Sequence, residues 1–169
     1  MNREEKKLQF RTWAYGLFIH YGVYSVHGLG EWLMAKERMG EPEYFSALKD
    51  FHPEPGMARR WVELARDCGM KYVVLTTRHH DGYCLFETAT HDFNAAKTGP
   101  GRDLIREYVD ALREAGLKVG LYYSLLTWRW PGQWSPERFP DDLTAITAEV
   151  HAQVRELMTG YGPIDVLWY

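Results

Sequence analysis

The chain has 169 residues with 20 basic and 23 acidic side chains, a formal net charge of −3 that leaves no electrostatic footprint for nucleic acid or an anionic membrane. Hydrophobic residues make up 46% and charged residues 25%, an ordinary globular balance that argues against a disordered tail, a collagen-like repeat or a disulfide scaffold. The two cysteines, Cys68 and Cys84, lack CxxC spacing, so neither a disulfide framework nor a zinc site follows from them.

Residues 1–10 (MNREEKKLQF) are charged and lack the apolar stretch of a secretory signal. No later segment approaches the roughly 18 apolar residues of a membrane span. The chain reads as cytoplasmic, an appearance that a secreted or periplasmic protein shares once its leader is cleaved.

Four short apolar runs read as buried strands: residues 14–22 (AYGLFIHYG), 71–77 (KYVVLTT), 117–124 (LKVGLYYS) and 164–169 (IDVLWY). Helical patterns separate them. Residues 57–68 place Trp61, Leu64, Ala65 and Cys68 on one face, and residues 103–115 do the same with Leu104, Tyr108, Ala111, Leu112 and Ala115. Residues 141–158 carry Leu143, Ile146, Val150, Val154, Leu157 and Met158 at helical spacing. An internal repeat supports the alternation, because RDCGMK at 66–71 matches REAGLK at 113–118. Each copy ends a helix at a glycine, Gly69 or Gly116, where a positive φ is cheap only for Gly, and then starts a strand. Gly160 or Gly162 before Pro163 repeats the device.

Alternating strands and helices with nearly continuous apolar strands imply a parallel sheet covered on both faces. The GxGxxG of a dinucleotide fold is absent after the first strand, where His20-Tyr21-Gly22 stands instead. The unusual polar residues collect at the strands' carboxyl ends: His20 after the first, Arg78-His79-His80-Asp81 after the second, and residues 124–130 after the third. That is the working face of a (β/α)8 barrel. A complete barrel runs to about 250 residues, so the expected fold is α/β with about four parallel strands of eight. Residues 1–169 are then the N-terminal portion of one catalytic domain, incomplete in the fourth strand.

Strand parity turns Phe18 and His20 inward and Leu17 and Ile19 toward the helices. Two imidazoles, a guanidinium and a carboxylate in a row at 78–81 read as functional groups with no use in packing. His79 and His80 reach one site only if the chain leaves strand geometry there, and Asp81-Gly82 supplies a turn. Tyr122 and Tyr123 have opposite parity, so one of them faces inward. Glu31-Trp32 pairs a hydroxyl-binding carboxylate with an aromatic platform, and aromatic residues reach 15% of the chain. Such clusters suit sugars, which have polar edges and apolar faces. Residues 98–103 (TGPGRD) read as a turn with a helix cap rather than a phosphate cradle, lacking the Lys-Ser/Thr of a P-loop. Cys84 reads as a small buried filler. A metal is the alternative use of His20, His79, His80 and Asp81, in a metal-dependent barrel hydrolase.

Taken together, residues 15–26 (YGLFIHYGVYSV), Glu31-Trp32, 72–86 (YVVLTTRHHDGYCLF), 98–103 and 116–124 (GLKVGLYYS) resemble the N-terminal barrel of the α-L-fucosidase family of glycoside hydrolases. The resemblance covers nearly the whole chain in order. It implies a retaining glycosidase that cleaves terminal α-L-fucose from glycoconjugates. It also implies that His20, Glu31, Trp32, His79, His80 and Tyr122 line the fucose subsite, with Trp168 as a further wall. No cofactor is implied, and no nucleic-acid or membrane partner. The family's first motif commonly reads IHWG, where this chain has Ile19-His20-Tyr21-Gly22 and keeps an aromatic face. The nucleophile of such enzymes is an Asp two positions after the tryptophan that Trp168 resembles, just after Tyr169, and the general acid/base is expected later still. The chain alone is therefore expected to bind fucose without hydrolysing fucosides, and none of Glu31, Asp81, Asp92 and Asp165 is assigned as nucleophile. A different class, a non-catalytic sugar-binding or interaction module that self-associates through open barrel edges, stands beside that reading.

Overall fold

The computed structural model describes residues 2–133 and 135–169. Helices and strands follow in the order α1 (Arg3–Trp13), β1 (Gly16–Ile19), α2 (Tyr24–His27), α3 (Leu33–Lys36), α4 (Glu41–Phe45), a 3-10 turn (Ser46–Asp50), α5 (Met57–Asp67), β2 (Tyr72–Arg78), α6 (Leu104–Glu114), β3 (Lys118–Tyr123), a second 3-10 turn (Pro131–Gln133), α7 (Pro140–Gly160) and β4 (Val166–Trp168). The four strands form one sheet in the order β1-β2-β3-β4, and every pairing is parallel. Each strand therefore lies beside its neighbours in sequence, as the βα alternation requires. Four parallel strands, the first three each followed by helix, correspond to half the strands of a (β/α)8 barrel.

The sheet has two unlike sides. On one, α5, α6 and α7 pack a core that includes Val73, Leu75, Val119 and Leu121 from the strands and Ile105, Tyr108, Leu112 and Leu157 from the helices. Buried Tyr108 donates to both the Val73 and Gly120 carbonyls, at 2.7 and 2.9 Å, so its phenol is not left unpaired in the core. The other side is the inner wall, where Phe18 and Trp168 are 39% and 50% exposed. Gly120 sits on that wall because a Cβ there would meet Val74 Cγ2 at 2.6 Å. Helix α1 lies at the strands' amino ends, with the Phe10 and Trp13 rings 5.4 and 6.2 Å from that of Tyr72.

The helix-ending glycines behave as the repeat implies: Gly69 and Gly116 have φ of 75° and 70°, and Gly162 rather than Gly160 takes the third place at 70°. Helix α6 buries Leu104, Ile105, Tyr108, Val109, Ala111 and Leu112, the face expected of it. Helix α5 follows expectation only in part, since Ala65 is buried and Trp61 packs against the core. It buries Ala58, Val62 and Ala65, while Leu64 is 57% exposed and Cys68 is exposed. The stripe 58-62-65 is lined by small residues, which lets α5 close on the sheet and on α6, and Leu64 lies off it. In α7 the core face is Ile146, Gln153 and Leu157, with Leu143 and Met158 largely outside.

Candidate functional site

The site is built on the strands' carboxyl ends. Alternation along β1 packs Leu17 and Ile19 against the core and presents Phe18, then His20, to the inner wall. The segment after β1 is anchored by Val23, Tyr24, Leu33 and Met34, all buried, and by Tyr24 Oη 3.2 Å from Thr76 Oγ1. That anchoring returns the loop over the rim and leaves Glu31 Oε1 3.8 Å from His20 Nδ1.

At the end of β2 the pairing with β3 slips. Thr76 pairs with Tyr122 and Arg78 with Tyr123, which makes Thr77 the extra residue of a β-bulge. One inserted residue exchanges the faces of everything after it. Arg78 consequently turns to the helix side, where it is 1% exposed, donates to Tyr123 Oη and Gln153 Oε1, and stands 3.3 Å from Glu149. His79 turns inward. Gly82, at φ 79°, closes a turn with its N–H on the His79 carbonyl at 3.1 Å, and this carries His80 into the same space.

Two sequence expectations are thereby corrected. Arg78 and Asp81 are packing residues after all: the Asp81 carboxylate is buried and accepts from Tyr44 Oη at 3.0 Å and from the Tyr83 N–H at 3.1 Å. Asp81 therefore does not join the histidines as a metal ligand, and the Nδ1 of His80 is engaged with Ser124 Oγ at 2.6 Å. Among the described residues His20, Glu31 and His79 each bring one donor atom to within 4.8 Å of the others. This trio, with Glu31 in place of Asp81, is spaced so that it could hold a metal ion.

All seven residues singled out from the sequence meet on this wall. The His20 ring lies 5.4 Å from His79 and 5.8 Å from Tyr122, His79 lies 4.1 Å from His80, and Trp32 stands edge-on to His80 at 4.9 Å. Trp168 joins through Phe18, which contacts it edge-on at 5.5 Å and Tyr122 at 5.9 Å. Sequence reasoning missed Trp128, whose ring packs 5.6 Å from Trp32 and 5.3 Å from His80 and whose backbone N–H donates to the His80 carbonyl at 2.7 Å. It also missed Ser124, although both lie in the polar segment flagged after the third strand.

Burial and the neighbouring imidazoles His80 and His20 pull His79 down to about 3, and burial lowers His80 as well. Both rings are neutral at pH 7, each with one N–H donor and one bare acceptor nitrogen, which matches the donor-acceptor character of a hydroxyl. Residues 98–103 are the turn and cap expected, since the Asp103 carboxylate accepts from the Arg106 N–H at 2.8 Å. Cys84 is fully buried, and burial pushes its thiol up.

A parallel β/α sheet whose carboxyl rim gathers neutral imidazoles, a carboxylate and indole faces has the layout of a barrel enzyme's working end. The chain belongs to the alpha-L-fucosidase family, whose sequence profile matches residues 1–169. It is 34% identical to the plasma alpha-L-fucosidase of Rattus norvegicus over 99% of its own length and 40% of the rat protein's. It superposes on alpha-L-fucosidase isoenzyme 1 from Paenibacillus thiaminolyticus with a TM-score of 0.89 at 42% identity, over 98% of this chain and 42% of that one. It likewise superposes on AlfC of Lactobacillus casei in complex with its α-L-fucose product, with a TM-score of 0.84 at 31% identity, over 97% of this chain and 60% of that one. The chain thus spans less than two thirds of each of these relatives.

Proposed function

We propose that residues 1–169 form the sugar-binding half of a retaining α-L-fucosidase barrel, acting on terminal α-L-fucose in glycoconjugates. The observation that carries this reading is the meeting of His20, Glu31, Trp32, His79, His80, Tyr122 and Trp168 on one wall of a family barrel. In it the neutral imidazoles and the Glu31 carboxylate hold the ring hydroxyls. Phe18 and Trp168 offer an apolar corner to the C5 methyl group, and Trp32 and Trp128 close the opposite side. Chemistry in such barrels needs two carboxyl groups about 5–5.5 Å apart, one attacking the anomeric carbon and one serving first as acid and then as base. Trp168 faces the inner wall, so the residue two positions further along such a strand faces it too. That is where the family resemblance puts the nucleophile.

Titration of the protein with L-fucose, followed by NMR, tests the reading. Resonances of His20, His79, His80 and Tyr122 are expected to move together, and a His20→Ala, Glu31→Ala double variant is expected to lose the response. No movement at tens of millimolar fucose would refute it. The same reading places further β/α units, or a second copy of the chain, against the outer edges of β1 and β4. Sedimentation at several concentrations is expected to show concentration-dependent association, and a single monomeric species throughout would count against it.

A further inference from the structure

Ser124 occupies a position from which a single proton can settle the state of His80. Its Oγ lies 2.6 Å from His80 Nδ1 and 2.7 Å from the carbonyl oxygen of Leu126. Ser124 is 2% exposed, so these short contacts are direct. A carbonyl oxygen has no proton to give, and the Ser124 hydroxyl has one. That proton must lie toward Leu126. His80 Nδ1 then has to supply the proton of the other contact, because two bare lone pairs facing each other at 2.6 Å would repel.

Resting on the fucosidase reading, we infer that Ser124 is a positioning residue that locks His80 in the Nδ1–H tautomer and so presents Nε2 to the sugar as an acceptor that selects a hydroxyl able to donate. The backbone holds both partners in place: the Ser124 N–H donates to the Arg78 carbonyl at 3.1 Å, and the Trp128 N–H donates to the His80 carbonyl at 2.7 Å. Rings of Trp32, His79 and Trp128 surround the imidazole, and among the described residues no hydrogen bond occupies Nε2. Burial is the largest influence on the ring and keeps it neutral; a hydrogen bond to the Leu126 backbone and the Glu31 charge favour protonation, and His20 and Arg78 oppose it. A neutral ring has only one N–H, so fixing it on Nδ1 leaves Nε2 bare. Ser124 itself need not touch the sugar. It acts through His80, as outer-sphere partners set the tautomer of metal-bound histidines.

The test is a long-range proton–nitrogen correlation spectrum of the nitrogen-15-labelled protein at pH 7, which distinguishes protonated from bare ring nitrogens. The expected result is a protonated Nδ1 and a bare Nε2 at His80, with Nε2 the more strongly shifted by L-fucose. Ser124→Ala is expected to give a tautomer mixture and about tenfold weaker fucose binding, roughly the loss of one well-placed hydrogen bond. Ser124→Thr is expected to restore both. A protonated Nε2 in the unaltered protein overturns the inference without needing any variant to fold. So does a folded Ser124→Ala protein that keeps both tautomer and affinity. The expected tautomer in a protein that ignores fucose would instead defeat the fucosidase reading, and with it the acceptor role, while leaving the Ser124–His80 assignment standing.

Discussion

Four consecutive residues at the end of β2 divide between two environments. Arg78 turns to the helix side, where Tyr123 and Gln153 meet its guanidinium, and Asp81 is buried in the loop after β2, where the Tyr44 hydroxyl and the Tyr83 N–H meet its carboxylate. His79 and His80 turn to the inner wall, among aromatic rings and open space. The four are similar in polarity, and what separates the buried, fully paired groups from those on the inner wall is the direction each takes. The bulge at Thr77 sets the sides of Arg78 and His79, and the turn at Gly82 then brings His80 beside His79 and leaves Asp81 buried against Tyr44 and Tyr83.

The contrast between the two sides predicts opposite responses to mutation. Leu121, fully buried on the helix side, should cost about 3–4 kcal/mol of stability when changed to Ala. Phe18→Ala, on the same sheet but half-exposed on the inner wall, should cost about 1 kcal/mol or less and weaken fucose binding instead. Urea denaturation of both variants measures this, and equal losses would erase the distinction between the sides. A smaller effect separates the two environments by pH. His79 falls from 6.5 to about 3 in the fold. Below pH 6.5 the unfolded chain takes up a proton that the folded chain refuses, so this group removes about 2 kcal/mol between pH 7 and pH 5. Asp81 is raised to about 6 by burial. The folded chain binds its proton first, so over the same interval Asp81 returns about 1 kcal/mol. His79→Gln should abolish the loss and Asp81→Asn the gain, in denaturation curves taken at the two pH values; slopes of the same sign for the two groups would contradict the assignment.

Much of this architecture is legible in the sequence because it follows from local rules. The strands are found within a few residues of their ends, since β-branched runs between glycine-ended helices leave little choice. The repeat around Gly69 and Gly116 signals its own geometry. Helix α1 was not anticipated, because its residues are mostly polar and none is buried; its one signal was the Asn2/Glu5 capping box. The short helices between Tyr24 and Phe45 owe their form to distant anchors such as Tyr44, whose hydroxyl reaches Asp81. The bulge at Thr77 has no marker in the sequence, because it answers a pairing with β3 more than forty residues away. That His20, Glu31, Trp32, His79, His80, Tyr122 and Trp168 come together on the inner wall was legible through family resemblance and strand parity together. Trp128 and Ser124 were not, since their roles depend on the path the chain takes after leaving β3.

The strand order β1-β2-β3-β4 has a consequence for synthesis. Because every strand docks only on the one made just before it, the sheet can grow along a single advancing edge as the polypeptide leaves the ribosome. No early strand waits for a late one to be inserted between neighbours, which keeps loop-closure costs low at each step and shortens the time that sticky intermediates stay uncovered.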